Sequence, residues 1–190
     1  MNVPNIKEIR NAHYLEDGAI DCEVLFDGEQ EHVLYTVIKG DTAPVGQHIR
    51  EALQSGKWGE IAPFTVTPEL IAAAKDAKKM EIEAWRTEQE SQPFTFEWNG
   101  RAWNAGPDSM ARLYPAVMAS KSDTARKTMV WGDAENQQVK LSMPELEELA
   151  AAMAQAQVDR NDEIYQRQRE MKDELNSLED LNSVRNFIVE

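Results

Sequence analysis

The sequence predicts an α+β fold: a small N-terminal antiparallel β-meander with one helix, then an α+β domain with two short hairpins and a long C-terminal helix. Three observations predict it. Apolar and acidic residues alternate between turn signals from Ile20 to Asp27, as in a strand with one buried face. An Asn-Gly pair splits the aromatic run "FTFEW-NG-RAW", the strongest short hairpin signal in the chain. Ser142-Met143-Pro144-Glu145 then has the form of a capping box and opens a long run of helix-forming residues.

In the N-terminal part, Ile20, Cys22, Val24 and Phe26 form the inward set, and Asp21 and Glu23 face out. Turn residues Glu16-Asp17-Gly18 and Asp27-Gly28 bracket this strand, so a three-stranded meander is expected over about Ala12 to Ile38. Cys22 reads as a small buried hydrophobe rather than a reactive thiol. Beyond Gly40-Asp41, Val45, Ile49 and Leu53 recur every fourth residue and predict a short helix that stops at Gly56. "GKWGEIAPFTVTP" reads as an irregular connector. A boundary near Thr65 divides the chain into residues 1–65, a β-rich unit, and residues 66–190, the larger α+β domain.

From Pro68 the pattern becomes helical, with Leu70, Ala74, Ala77, Ala84 and Trp85 near one side, and Pro93 blocks extension. Alternation in the following hairpin places Phe94, Phe96 and Trp98 on one face. "GPDSMARLYPAVMAS" supports a short helix in which Pro115 predicts a kink or break. Thr128 to Trp131 and Gln138 to Leu141 form a second strand pair. The helix after Ser142 runs to about Asn176, roughly 50 Å at 1.5 Å per residue. Leu146, Leu149 and Met153 suit its first part to packing within the domain. Farther along, Ile164, Met171 and Leu178 are seven residues apart, with Leu175 between the last two. They form either a weak oligomer seam or an edge packed within the chain. Phe187 and Ile188, in the terminal "FIVE", are further candidate partner contacts.

Chemistry is sparse. With 34 acidic against 20 basic residues the net charge is −14. No basic tract interrupts the excess, which disfavours nucleic acid and anionic membranes as partners. Cys22 is the only cysteine, so no intramolecular disulfide and no CxxC site is available. The N-terminus lacks an apolar core of signal-peptide type, and no apolar run is long enough for a transmembrane helix. His13, His32 and His48 lack metal-ligand spacing, and GxSxG, Walker and GxGxxG motifs are missing. The Asp21/Glu23 and Asp133/Glu135 pairs read as solvated faces. No catalytic residue, metal or cofactor is therefore predicted. Trp85, Phe94, Phe96, Trp98, Gly100, Trp103 and Trp131 read as fold determinants of an aromatic core rather than a sugar platform, which would need exposed coplanar rings.

Two sets of residues resemble known phage proteins. Ala84-Trp85-Arg86, the hairpin Phe94 to Gly100, Trp131 to Asn136, and Arg167-Gln168-Arg169, read as a turn, resemble a domain of unknown function found in tailed-phage tail proteins, over roughly the last 110 residues. Gly56, Lys57, Gly59, Ile61 and Pro63 are similar to a signature closing a leader of phage tail-fibre and tail-assembly proteins. Tyr35-Thr36-Val37 departs from that leader's usual Tyr-Thr-Ala followed by two acidic residues. The resemblance implies a non-enzymatic tail structural protein that connects or attaches fibre or baseplate components. It places the chain in the virion tail, and in the host cytoplasm during assembly. Its expected partners are tail, fibre or baseplate proteins and a second copy of the chain. The alternative is a tail-fibre assembly chaperone absent from the mature virion, with an exposed apolar patch at Val184, Phe187, Ile188 and Val189.

Overall fold

The structure, a computed structural model, describes residues 3–122 and 127–190. The fold is α+β, and the chain divides into two compact units, Met1–Thr67 and Pro68–Glu190.

In the first unit, β1 (Ile6–Tyr14), β2 (Ile20–Phe26) and β3 (Val33–Val37) form an antiparallel sheet in the order β1-β2-β3. The alternation in β2 buries Ile20, Cys22 and Val24, and α1 (Pro44–Gln54) lays Ile49 and Leu53 over them. Close approach fixes one glycine here. A Cβ on Gly46 would stand 1.9 Å from Asp41 Oδ2, whose partner oxygen caps the Ala43 amide at 2.8 Å. The meander begins at Ile6, earlier than the sequence expectation of Ala12. An irregularity at Asn11, with φ of 56°, breaks the period of two in β1 and hides it from pattern reading. The connector is also less irregular than expected, because Ala62 pairs with β1 through Ala62 N to Ala12 O and Tyr14 N to Ala62 O, both 2.9 Å. That pairing satisfies part of the outer edge of β1.

The second unit runs α2 (Pro68–Ser91), β4 (Phe94–Trp98), β5 (Arg101–Ala105), α3 (Pro107–Ser120), β6 (Thr128–Gly132), β7 (Gln138–Ser142), α4 (Met143–Ser177) and α5 (Leu181–Arg185). Asn99 and Gly100 both take positive φ in the β4–β5 turn, as a two-residue hairpin loop requires. Register sets Phe96 opposite Trp103 and Phe94 opposite Ala105, on one face. Trp103 is 1% exposed and lies with Ala105, Leu113, Leu141, Leu146, Leu149 and Met153. Its indole N–H donates to Trp98 O at 3.0 Å, and the Trp98 ring meets it edge-on at 5.9 Å. Phe94, Phe96, Trp98 and Trp131 are only partly buried around this centre. The reason is placement: β5 packs against both α3 and α4, whereas β4 meets α4.

The structure corrects several expectations. Trp85 is half-buried and outside the aromatic core, while Ala77 and Ala84 are exposed. The buried residues of α2 are Ala74 and Ile82, because this helix packs mainly on α4 and α5. Pro115 does not break α3; the carbonyl that loses its donor belongs to exposed Ala111 and stays open to solvent. Arg167-Gln168-Arg169 is the interior of α4, not a turn. The candidate oligomer seam is intramolecular. Ile164 is 7% exposed and Met171 and Leu175 are fully buried, in the half of α4 that runs antiparallel to α2. That direction follows from Lys75 Nζ donating to Asn176 O, and from Glu83 and Arg86 meeting Gln168. Leu178 and Phe187 are partly buried and only Ile188, at 69%, is largely exposed. The expected apolar patch also loses Val184, which is fully buried in α5.

Candidate functional site

A polar cleft of about 260 Å³ opens in the second unit, where β5 passes into α3 and faces the end of β6. Asn104, Ser109, Arg112, Trp131, Gly132, Asp133 and Asn136 line it. A second hollow of about 140 Å³ shares Asn104, Ser109 and Arg112 and extends past Gly106 and Asp108 toward Pro93.

Local sequence explains one wall. Gly106 stands at φ 108°, ψ 173°, and a Cβ there would lie 3.1 Å from both Gln92 O and Pro93 Cα, so the turn into α3 needs glycine. Pro107 then starts the helix without losing a useful donor. No side chain caps α3, and the first-turn amides of Asp108 and Ser109 have no acceptor among the described residues. The positive end of the helix dipole therefore points out uncompensated by a cap. Ser109 is 8% exposed and its hydroxyl makes no hydrogen bond among the described residues. One turn on, Arg112 follows at i+3 on the same side, with no ion pair among those residues.

The opposite wall is organised by Asp133. One carboxylate oxygen accepts from the amides of Glu135 at 3.0 Å and Gln137 at 2.8 Å; the other accepts from Arg101 Nη1 at 3.0 Å. The Gln137 amide above all, with help from Arg101, holds the Asp133 carboxyl below the usual aspartate range. Asp133 is 6% exposed, so the expectation that Asp133 and Glu135 form a solvated pair is corrected: Glu135 is exposed and Asp133 is spent on its own loop and on Arg101. Such a carboxylate stays ionised near neutral pH and shapes the wall instead of exchanging protons. Asn136, at φ 60°, completes the loop and borders the cleft, its side-chain amide making no hydrogen bond among the described residues.

A separate polar cluster joins α2 to α4. Gln168, 2% exposed, donates to Glu83 Oε2 at 2.8 Å and accepts from Arg86 Nη1 at 3.3 Å. Lys172 pairs with the other Glu83 oxygen and keeps that carboxyl below its ordinary value. Arg86 also bonds Glu90 at 2.8 Å, which raises its own affinity for a proton, and its guanidinium lies 5.4 Å from the centroid of the Tyr165 ring. Every donor and acceptor named here has a partner, so the cluster reads as a helix-to-helix clasp. Among the described residues no three His, Cys, Asp or Glu side chains gather as a metal site.

Of the residues marked in the sequence, Trp131 and Asp133, with Asn136 at the end of the Trp131 to Asn136 motif, line the cleft. Phe94, Phe96, Trp98 and Trp103 pack beneath it, Gly100 serves the hairpin turn, and Ile164, Met171 and Leu175 belong to the α2–α4 seam. Asn104, Ser109 and Arg112 went unmarked. The available signal was Gly106-Pro107 with Ser109 just behind it, a helix start with no capping side chain.

No curated protein and no solved structure matches this chain. Residues 73–188, well over half of the sequence, match the family model described as a domain of unknown function (DUF4376), and the chain belongs to that family.

Proposed function

We propose that the chain is a non-enzymatic structural protein of a phage tail, connecting or attaching fibre or baseplate components through protein–protein contacts. The supporting observation is the work done by the residues that carry the phage resemblance. Phe94, Phe96, Trp98 and Trp131 pack around Trp103, Arg86 and Gln168 clasp α2 to α4, and Asp133 closes the second hairpin. Each builds the fold, as expected of a module that works by presenting a rigid surface. An apolar edge is available for contact on the first unit, where Val33, Leu34 and Ile38 are exposed, Leu34 at 82%.

The alternative is a tail-fibre assembly chaperone that leaves the mature virion. Burial of Val184 removes the centre of its expected C-terminal patch, so this reading relies on the β3 edge instead. Quantitative mass spectrometry of gradient-purified particles separates the two. A fixed copy number relative to a known tail protein is the expected outcome. Absence from particles combined with abundance in infected cells selects the chaperone, and absence from both contradicts the phage reading.

A further inference from the structure

We propose that the free edge of β3 is a self-association surface, where a second copy of this chain adds its own β3 antiparallel and joins the two three-stranded sheets edge to edge. The outer strands of the meander differ. Ala62 pairs with the outer edge of β1, whereas β3 pairs with β2 alone among the described residues. The same bonds fix which groups of β3 face out. Tyr14 N turns away from β2 to reach Ala62 O, so Tyr14 and Ile20 exchange no bonds and Ile20 turns its amide and carbonyl toward Val37. Alternation then directs Val33, Tyr35 and Val37 at β2 and turns the N–H and C=O of Leu34 and Thr36 out of the sheet. A free strand edge is ordinarily blunted by a charge, a proline or a bulge. This one has none: its register with β2 is unbroken, residues 33–38 include no charge and no proline, and Val33, Leu34 and Ile38 are exposed.

The flanking charges select the occupant. A strand that meets its own copy about a two-fold axis sets each residue opposite its mirror position in the strand. With the axis at Tyr35, all five residues of β3 are engaged, Leu34 faces Thr36 of the second copy and Val33 faces Val37. Leu34 and Thr36 then exchange the outward bonds, as the alternation requires. The same register brings Glu31 opposite Lys39 at each end of the ladder. Both side chains are exposed and have no ion pair among the described residues. Moving the axis to Thr36 sets Glu31 against Asp41, and moving it to Leu34 sets Glu31 against Val37 and shortens the overlap. The strand is thus complementary to itself in one register, in charge and in backbone bonding. The pairing is read from β3 itself and holds whether or not the chain serves in a tail.

The test uses the full chain in sedimentation equilibrium and hydrogen exchange, from about 5 μM to about 1 mM. A monomer–dimer equilibrium with Kd on the order of 100 μM is expected, as suits a small, transient interface. The amides of Leu34 and Thr36 should gain protection with concentration, while those of Val33, Tyr35 and Val37, already bonded to β2, stay the same. Leu34→Lys changes an exposed side chain and is expected to weaken association about tenfold or more. Unchanged protection of the β2-bonded amides confirms its fold. Glu31→Lys alone should weaken association about three- to tenfold, since the pair occurs twice, and adding Lys39→Glu should restore it. A chain that stays monomeric to about 1 mM overturns the proposal. If Leu34 and Thr36 are protected at every concentration in that monomer, a segment of the same chain covers the edge. A dimer whose affinity Leu34→Lys leaves unchanged places the contact elsewhere, and a charge-swapped chain no tighter than Glu31→Lys alone overturns the register.

Discussion

The two halves of α4 use one stripe and two kinds of partner. Leu146, Leu149 and Met153 press into the aromatic cluster around Trp103, where the packed side chains are apolar. Ile164, Met171 and Leu175 continue the same three- and four-residue spacing against α2, but Gln168 sits among them, buried and bonded to Glu83 and Arg86. Apolar packing gives most of the energy and little information about register. A buried amide with two assigned partners penalises every other sliding position of the helices. The first half can thus be read as an anchor and the second as an alignment device.

The largest effect should follow from opening the apolar end. Trp103→Ala removes a fully buried ring and the indole bond to Trp98, and is expected to cost about 3–5 kcal/mol in urea unfolding. A loss below about 1 kcal/mol would mean that the aromatic cluster is not the centre of the unit.

At the polar end, Gln168→Ala leaves the Arg86 and Glu83 groups without their buried partner. The expected cost is about 1–3 kcal/mol, with loss of amide protection in α2 around Glu83. Gln168→Met, which keeps volume, should recover stability better than it recovers the protection pattern if register is what the amide supplies.

A smaller change is expected at the start of α4. Ser142 Oγ accepts from Glu145 N at 3.2 Å and Glu145 returns a bond to Ser142 N at 3.1 Å, so Ser142→Ala should cost about 1 kcal/mol.

A distinct acid profile belongs to Asp133. Its folded pKa is depressed, so its contribution is full above the ordinary carboxylate range and is lost as pH falls through the folded value. Asp133→Asn should flatten that acid limb of a stability-against-pH curve. An unchanged limb would show that Arg101 and the loop amides do not hold the carboxylate.

What the sequence disclosed depended on whether a feature is local. Asn99-Gly100 and Ser142 to Glu145 act within a few residues, and both turn and cap formed as read. Cys22 likewise follows from its alternation in β2: it is buried, and burial with Asp21 nearby pushes its thiol up to about 11. Partners distant in sequence were illegible. Asp133 looked solvated because Arg101, in another hairpin, supplies its charge. The spacing of Ile164, Met171 and Leu175 is the same whether the facing helix comes from this chain or a second copy. Ser109 and Arg112 make no pattern at all until α3 and β6 are brought face to face.

The intramolecular seam is the centre of this account, and hydrogen exchange of the full chain at two widely separated protein concentrations tests it most directly. Amides from Ile164 to Leu175 should show the same protection at both, and Gln168→Ala should lower protection in α2 and the second half of α4 together. Protection of those residues that falls on dilution would instead assign the seam to contacts between chains.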